Sequence, residues 1–466
     1  MNNKNLINAI LKNDFGSFIH KSFKTLNPSM KYYRNWHIDL IAEHLLAVER
    51  GDIKRLIINM PPRCLKSLTV SVAWPAWLLG RNPANRIIVA SYSQLLSNKL
   101  SLDTRFLISS DWYKSVFQGT VLHAKQNQKS KFMTTKYGFR FSTSVGGTAT
   151  GEGGDILIVD DPHNPSHMFS NALRKKAINW FSETFSTRLN NRNEGKIVIV
   201  MQRLHDEDLS GFLIKNQEEE WHVLKIPIMT EEDTEFSFGN VSYSMKKNDT
   251  LSPDLFSKEV IDKLIKEVGM HNFNAQYLQK PDSLSSGLLK AEYLCYYKNL
   301  PEKFDYIIQS WDTAIKIDPT SDFSAMTCWG VKDNLYYLIT SVQEKLEYPR
   351  LKSKILELAS KYSPKIILIE DRSSGHSLIQ DLKYQTNFRI ISCKAVQEKV
   401  VRFATHLEIF EQGRVLLPEY GLTRTNVESQ LIKFPNCKND DIVDSISQFL
   451  HFVKNEPQTR INIRKF

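Results

Sequence analysis

The sequence lacks an apolar run that approaches the ~20 residues a helix needs to span a bilayer. Its first residues, MNNKNLINAILKND, also lack the long apolar segment of a secretory signal. The five cysteines are scattered and form no C-x-x-C pair, which argues against structural zinc and against a disulfide framework. We therefore expect a protein of a reducing compartment, the cytoplasm, with no membrane partner.

Acidic residues are the minority among the charged side chains. The sequence has 61 Lys and Arg against 51 Asp and Glu, a formal net charge of +10. A positive excess favours a polyanionic partner, and nucleic acid is the obvious candidate. Many basic proteins are simply soluble, so the charge alone indicates only a mild preference.

Internal repeats and low-complexity tracts are also missing, and 466 residues suggest two or three domains. Over residues 1–229, apolar runs such as RLIIN, RIIVASYS and KIVIVMQR alternate with helical stretches, which is typical of parallel strands buried on both faces. Residues 230–287 are polar and irregular, which predicts a linker or small subdomain. Residues 288–454 read as a strand meander followed by alternating helices and strands, a second domain, and residues 455–466 as a basic tail.

Glycine is absent from the stretch INMPPRCLKS, which otherwise fits the nucleotide-binding pattern G-x-x-x-x-G-K-[ST]. Met60 and Leu65 stand at the glycine positions, whereas Lys66 and Ser67 match. A buried strand enters the loop and a helix opens after it, so backbone N–H groups and the helix dipole would face an anion. The two prolines would stiffen the turn. A plain Pro-Pro turn into a helix fits the same residues equally well.

If the loop binds ATP, Lys66 would hold the β- and γ-phosphates, Ser67 would bind Mg²⁺, and Arg63 would steady the γ-phosphate or its transition state. A second motif, DILIVDDPHNP, has the form of a strand that delivers carboxylates to a sheet edge, although it also fits a polar turn. There Asp160 would bind Mg²⁺ and Asp161 would orient the attacking water. Both motifs in this order favour ATP. The candidate nucleotide-binding residues are Pro62, Arg63, Cys64, Leu65, Lys66, Ser67 and Asp160.

In the second half, acidic residues stand where strands end or a helix begins. Asp312 closes YIIQSWD, Glu370 closes KIILIED, and Asp440, Asp441 and Asp444 open a predicted helix on which 444 shares a face with 440 and 441. Two Mg²⁺ or Mn²⁺ ions that bridge a scissile phosphate need several carboxylates from different elements. We predict Asp312, Glu370 and Asp441 as catalytic metal ligands, with Asp440 and Asp444 as their partners.

Other polar and aromatic residues of this half have simpler explanations. Asp322 and Asp371 fit caps or solvated turns, as single acids at strand ends commonly do. Trp311 and Trp329 fit the core, and His376 fits the surface.

With these motifs in place, the sequence resembles the large terminase subunit of tailed bacteriophages, a DNA-packaging motor and nuclease. The similar stretches cover nearly the whole chain from Tyr33 on, and include WHIDLIAEHLLAVERGDIKRLIINMPPR, GGTATGEGGDILIVDDPHNP and IVIVMQRLHDEDLSG. The sequence departs from the family at Leu65, where many members have glycine, and at Asp161, where other motors often have glutamate. The resemblance implies an α/β protein: a P-loop ATPase domain with a parallel sheet, then a ribonuclease H-like nuclease domain with a mixed sheet.

The resemblance also implies roles that the residues alone do not. Gln202 would sense the γ-phosphate and couple hydrolysis to movement, although a solvated strand end explains it too. Arg140 could act on a neighbouring subunit's ATP. Trp36 and His37 could flank adenine or simply belong to an aromatic cluster.

The function implied is ATP-driven translocation of double-stranded viral DNA into a procapsid, with Mg²⁺- or Mn²⁺-dependent endonucleolytic cleavage. The implied partners are double-stranded DNA, the portal protein, the small terminase subunit and further copies of the chain in a ring, in the host cytoplasm. Two alternatives stay open. An ATP-dependent helicase-nuclease would carry further helicase motifs in a second motor domain, and an inactive prophage remnant would bind DNA without turnover.

Overall fold

The structure is a computed structural model that describes residues 3–147, 151–168, 170–216, 220–281, 287–313, 323–371, 375–394, 398–437 and 439–455. The chain forms two compact units, Met1–Ile265 with His271–Asp282 and Lys266–Met270 with Ser283–Phe466. Across the described ranges, no helix combines the length and the apolar character needed to cross a membrane.

One sheet organises the first unit. Its eight strands are β1 (Arg55–Asn59), β2 (Arg86–Ser91), β3 (Leu122–Asn127), β4 (Lys131–Thr134), β5 (Phe139–Ser144), β6 (Ile156–Asp160), β7 (Lys196–Met201) and β8 (His222–Lys225). They lie in the order β3-β4-β5-β2-β6-β7-β1-β8. In this order, every neighbouring pair from β5 through β2, β6, β7 and β1 to β8 is parallel. The edge strands β3 and β4 pair antiparallel.

The parallel strands are buried on both faces, as their apolar runs predict. The neighbours Ile57 and Ile58 on β1 are both fully buried, yet they belong to different hydrophobic cores. We call the one that contains Ile58 the larger core. The two cores fix the register of the strands and therefore the places where their carboxyl ends deliver side chains.

Helices cover this sheet. Those before β8 are α1 (Asn3–Asn13), α2 (Phe15–Leu26), α3 (Trp36–Arg50), α4 (Trp74–Arg81), α5 (Gln94–Ser109), α6 (Asp111–Val116), α7 (Asn171–Asn179) and α8 (Leu209–Lys215). A π-helical segment, Leu68–Ala73, leads into α4, and another, Trp180–Phe185, follows α7.

The stretch expected to be a linker or subdomain contains regular structure. A two-stranded antiparallel sheet comprises β9 (Thr234–Phe238) and β10 (Val241–Met245), and two helices follow, α9 (Lys258–Val268) and α10 (Met270–Gln276). Both strands contact α3 and cluster with the first unit.

The second unit is built on a mixed sheet of seven strands: β11 (Cys295–Tyr297), β12 (Tyr306–Asp312), β13 (Ser324–Lys332), β14 (Leu335–Glu344), β15 (Ile366–Glu370), β16 (Arg389–Cys393) and β17 (Val415–Pro418). Their order is β11-β17-β14-β13-β12-β15-β16. The antiparallel pairs are β12–β13 and β13–β14, and the other pairs are parallel. The helices are α11 (Tyr348–Tyr362), α12 (Gly375–Gln385), α13 (Lys399–Ala404), α14 (Leu407–Glu411), α15 (Leu422–Lys433) and α16 (Asp441–Asn455).

Small hydroxyl residues bring α16 close to the sheet. Ser310 on β12 and Ser445 on α16 each donate their hydroxyl to the other's carbonyl, at 2.7 and 2.8 Å. Phe449 stacks on Trp329 of β13 with a centroid distance of 4.6 Å. These contacts lock the first turn of α16, which carries Asp441 and Asp444, beside the end of β12.

The predicted α/β class is confirmed, with a mostly parallel sheet in the first unit and a mixed sheet in the second. The meander YIIQSWD, SAMTCWGV and LYYLITSV corresponds to β12, β13 and β14. Trp311 and Trp329 are fully buried, as expected of core residues. The expected basic tail lies outside the described residues apart from its first member, Asn455.

Candidate active sites

The glycine-free loop runs from the end of β1 to the helical residue Lys66. Its backbone is left-handed at Arg63, with φ 65°, and at Leu65, with φ 62°. This conformation costs an ordinary residue about 1–2 kcal/mol. Leu65 therefore makes a glycine-type turn without glycine, and its side chain packs against the larger core.

The other loop residues differ in what they can offer a nucleotide. Cys64 is buried, and burial raises its thiol pKa to about 12, so its side chain is a neutral core group. Pro62 has no N–H to donate. Arg63 is exposed at the surface. Besides Lys66, this loop can thus contact phosphate through its backbone N–H groups and the Arg63 side chain.

Lys66 and Ser67 meet the two carboxylates of the second motif. Nζ of Lys66 lies 3.0 Å from Oδ2 of Asp161. The hydroxyl of Ser67 donates to Oδ1 of Asp160 at 2.9 Å. These four residues come from the carboxyl ends of β1 and β6, the sheet edge where parallel α/β folds place their ligand sites. The structure thus brings the two motifs together.

Asp160 is fully buried. Burial, and then the charge of Asp161, raises its pKa to about 7. Oδ2 of Asp160 is also buried and makes no hydrogen bond with the described part of the chain. Carboxylate and hydroxyl oxygens are the ligands that Mg²⁺ prefers, and a hard cation would satisfy this oxygen. Asp160 and Ser67 therefore fit a Mg²⁺ ion that accompanies a nucleotide.

Gln202 lies at the end of β7, beside this pair. Its backbone N–H donates to Oδ1 of Asp161 at 3.2 Å. Its side-chain Oε1 is buried and accepts no hydrogen bond from the described residues. Gln202 is thus in direct contact with one predicted catalytic carboxylate, and the alternative of a merely solvated strand end does not fit a residue that is 8% exposed.

Arg203 is held by Asp208, a residue to which the sequence analysis gave no role. Nε of Arg203 donates to both carboxylate oxygens of Asp208 at 3.0 Å. Asp208 is fully buried and caps α8 by accepting from the N–H of Gly211. A Cβ at Gly211 would lie 1.9 Å from the carbonyl oxygen of Asp206, so only glycine fits there. The capping pattern D-x-x-G was the available signal for Asp208.

Two sequence-based roles change. Arg140 was named as one arginine that could act on a neighbour's ATP, but it is fully buried and donates to Oγ of Ser142 at 2.6 Å and to the carbonyl of Ser71 at 3.2 Å. A buried guanidinium held within its own unit cannot reach another subunit, so Arg140 does not fit that role. Trp36 stacks on Tyr243 with a centroid distance of 4.6 Å, which favours the aromatic-cluster alternative for that residue.

In the second unit, Asp312 and Glu370 lie at the ends of the adjacent parallel strands β12 and β15. The pairing of Trp311 with Ile369 puts Asp312 and Glu370 side by side at these strand ends. Burial, and then Glu370, raises the pKa of Asp312 well above its usual range. Neighbouring carboxylates disfavour each other's ionisation unless a cation lies beside them, and a divalent ion bound by both would be such a cation.

Two cations of α13 lie among the remaining acids, and the sequence analysis missed both. Nη1 of Arg402 lies 3.2 Å from Oε1 of Glu370, and its Nη2 donates to Oδ1 of Asp444. Nζ of Lys399 lies 2.8 Å from Asp440 and 2.7 Å from Asp444. Their i, i+3 spacing in KVVRFA puts them on one helix face, but nothing in the sequence points that face at the acids.

The predicted metal ligands are only partly gathered. Asp441 is buried on α16 and accepts from Nε2 of Gln343 at 2.8 Å. Within the described ranges, no three His, Cys, Asp or Glu side chains converge as a metal-binding group. Asp312 and Glu370 lie at neighbouring strand ends, and Arg402 joins Glu370 to Asp444. Carboxylates that repel one another are thus spaced here by basic side chains.

Residues assigned to simpler roles mostly keep them. Asp371 accepts from the hydroxyl of Ser392 at 2.8 Å. The side chain of His376 is 66% exposed, as expected. Asp322 lies outside the described residues.

The comparisons with known proteins point to one family. Residues 309–452 match the model of the terminase RNaseH-like domain. The large terminase of a thermophilic bacteriophage, in complex with ADP, is similar at 12% identity and a TM-score of 0.46, covering 88% of this chain and 99% of that one. The HK97 bacteriophage large terminase is similar at 11% identity and a TM-score of 0.37, covering 93% and 99%. The large terminase nuclease from thermophilic phage G20c with bound magnesium is similar at 14% identity and a TM-score of 0.29, covering 36% and 97%. No curated protein sequence matches this chain.

The range matched by the family model begins in β12 and ends in α16, so it contains the acids and the basic residues described above. The mixed sheet that carries them has the ribonuclease H-like fold that the resemblance implied. Residues 309–452 match the terminase RNaseH-like domain, and over this range the match bears out the resemblance to the large terminase subunits of bacteriophages.

Proposed function

We propose that this chain couples ATP hydrolysis to the movement of double-stranded DNA into a procapsid and cuts that DNA with a metal-dependent nuclease. The observation that carries the motor half is the contact of Lys66 and Ser67 with Asp161 and Asp160 at one edge of a parallel sheet. The nuclease half is supported by the carboxyl pair Asp312–Glu370 in the domain matched by the terminase model.

In the motor unit, the triphosphate would compete with Asp161 for the Lys66 ammonium. Once Lys66 turns to the phosphates, Asp161 is released to orient the attacking water. The backbone of Gln202 stays on the other oxygen of Asp161, so a change at this carboxylate reaches β7 directly. Arg63 would steady the γ-phosphate from the exposed side of the loop. Ser67 and Asp160 would hold Mg²⁺, which neutralises phosphate charge when bound.

In the nuclease unit, Asp312, Glu370, Asp441 and Asp444 would hold the divalent ions, Mg²⁺ or Mn²⁺, with Asp440 beside them. Bound there, such ions activate water and stabilise the charge of the scissile phosphate. Arg402 keeps Glu370 and Asp444 oriented. Contacts to phosphates would make binding salt-dependent and largely independent of sequence.

The family resemblance implies three further partners: the portal protein, the small terminase subunit and other copies of this chain in a ring. It implies the host cytoplasm as their location. We place the ATPase domain at residues 1–229, the nuclease domain at residues 288–454 and a connecting subdomain between them.

Two variants test the function together. Lys66→Ala should abolish DNA-stimulated ATP hydrolysis and leave Mn²⁺-dependent plasmid cutting intact, because the two sites use different residues. Asp312→Asn should do the reverse, and Lys99→Ala, which removes an exposed pair with Asp103, should change neither. Loss of both activities in both single variants would contradict separate sites. Strand unwinding would favour the helicase-nuclease, and a wild-type protein without turnover in the presence of DNA would favour the inactive remnant.

A further inference from the structure

The two basic residues of α13 hold the acid cluster in different ways. The side chain of Arg402 is 11% exposed and bridges Glu370 and Asp444. The side chain of Lys399 is 30% exposed and pairs with Asp440 and Asp444. A buried planar guanidinium with two carboxylate partners is fixed, whereas a lysine ammonium on a flexible stem rotates away easily. Of the two, Lys399 is therefore the exchangeable cation.

Lys399 is paired with carboxylates that a divalent ion would need as ligands, Asp440 and Asp444. The ammonium of Lys399 lies 2.8 Å from Asp440 and 2.7 Å from Asp444, so its positive charge already balances these carboxylates. Asp444 is 3% exposed, and Lys399 and Arg402 both neutralise it. A dication cannot use the Asp444 oxygen at 2.7 Å from Lys399 without displacing the ammonium.

We propose that Lys399 is a resident counter-ion that competes with divalent cations for Asp440 and Asp444, and so sets how much metal the nuclease centre requires. This inference rests on the proposed nuclease function. Arg402, in contrast, is a positioning residue that remains when the metal enters. The competition raises the metal concentration at which the acids can converge, and it keeps them neutralised below that concentration.

The test measures Mn²⁺ binding to the full chain. Electron paramagnetic resonance at fixed pH and ionic strength monitors the titration. The nuclease-centre component is the part of the binding that Asp312→Asn removes. Lys399→Met should lower the dissociation constant of that component by about tenfold, because one competing charge is gone. Lys399→Arg keeps the charge on a side chain that is harder to displace, so its dissociation constant should be equal to or above that of wild type. Lys383→Met on α12 should stay near wild type.

Thermal denaturation gives a second readout in case the variant is less stable. Lys399→Met leaves buried Asp444 with less compensation, so its melting temperature should fall without Mn²⁺ and rise more than that of wild type when Mn²⁺ is added. Unchanged or weaker Mn²⁺ binding by Lys399→Met would overturn the competition. Absence of any component that depends on Asp312, in all variants, would instead overturn the nuclease centre itself.

Discussion

Nζ of Lys66 lies 3.0 Å from Oδ2 of Asp161, so the cation expected to grip phosphate is paired with the carboxylate expected to orient water. The two tasks proposed for these residues are therefore linked through one ion pair. On this proposal, phosphate has to displace Asp161 from Lys66 before either residue can act in catalysis.

Asp161→Asn should separate binding from turnover. Removing the carboxylate charge frees Lys66, so ATP should bind as tightly as in wild type or a few-fold tighter, while hydrolysis falls by about 10²-fold or more. Binding of a fluorescent ATP analogue and steady-state ATPase rates measure the two effects. Asp103→Asn on α5 is the matched surface control. Weaker binding together with normal turnover would show that Asp161 does not have this role.

At position 65, a glycine variant should be more stable than an alanine variant, the reverse of the usual order. At φ 62° a Cβ is strained, so Leu65→Gly should be more stable than Leu65→Ala by about 1 kcal/mol. At Leu102, exposed in the middle of α5, the order should be opposite, because glycine costs about 1 kcal/mol in a helix interior. Urea denaturation of the four variants measures both differences. Alanine more stable at both sites would mean that the loop is not left-handed at Leu65.

Breaking the Arg203–Asp208 pair should destabilise the first unit. Arg203→Ala leaves a fully buried carboxylate without its cation, at a cost of about 3 kcal/mol. Lys215→Ala, which removes an exposed partner of Asp206, should cost at most about 0.5 kcal/mol. Urea midpoints compare the two variants, and similar small losses in both would refute the structural importance of the Arg203 clamp.

Asp160 predicts a pH dependence of stability. Folding raises its pKa from 3.8 to about 7, so the folded state binds this proton more tightly than the unfolded state. The stability that the proton contributes is fully present below about pH 4 and is lost as pH rises through about 7. The melting temperature of wild type relative to Asp160→Asn should thus fall between about pH 5 and 7.5. A difference that stays constant with pH would show that Asp160 is ionised throughout.

Much of the site was predictable because it depends on strand ends. Asp160, Asp312 and Glu370 each close an apolar run, and in parallel strands such residues meet at one edge of a sheet. The partners of those acids were not predictable. Lys399 lies far from Asp444 in sequence, and only the packing of α13 brings them together. Short strands such as β11 and β17 escaped notice, because they have too few residues to show periodicity.

The buried Arg140 shows a second limit of sequence reasoning. A resemblance indicates which residue types a motor uses, but it does not say which arginine faces outward. Arg140 lies on β5 with its side chain directed into the unit, where burial lowers its pKa to about 9. Exposure depends on how strands and helices pack, and local sequence does not reveal that packing.

Asp441 and Asp444 belong to α16, the last helix described. The proposed nuclease centre is therefore complete only late in synthesis. When β12 and β15 have emerged from the ribosome, the chain contains Asp312 and Glu370. It does not yet contain α16, the helix that bonds to Ser310. On the proposed function, cutting therefore has to wait until translation has passed α16.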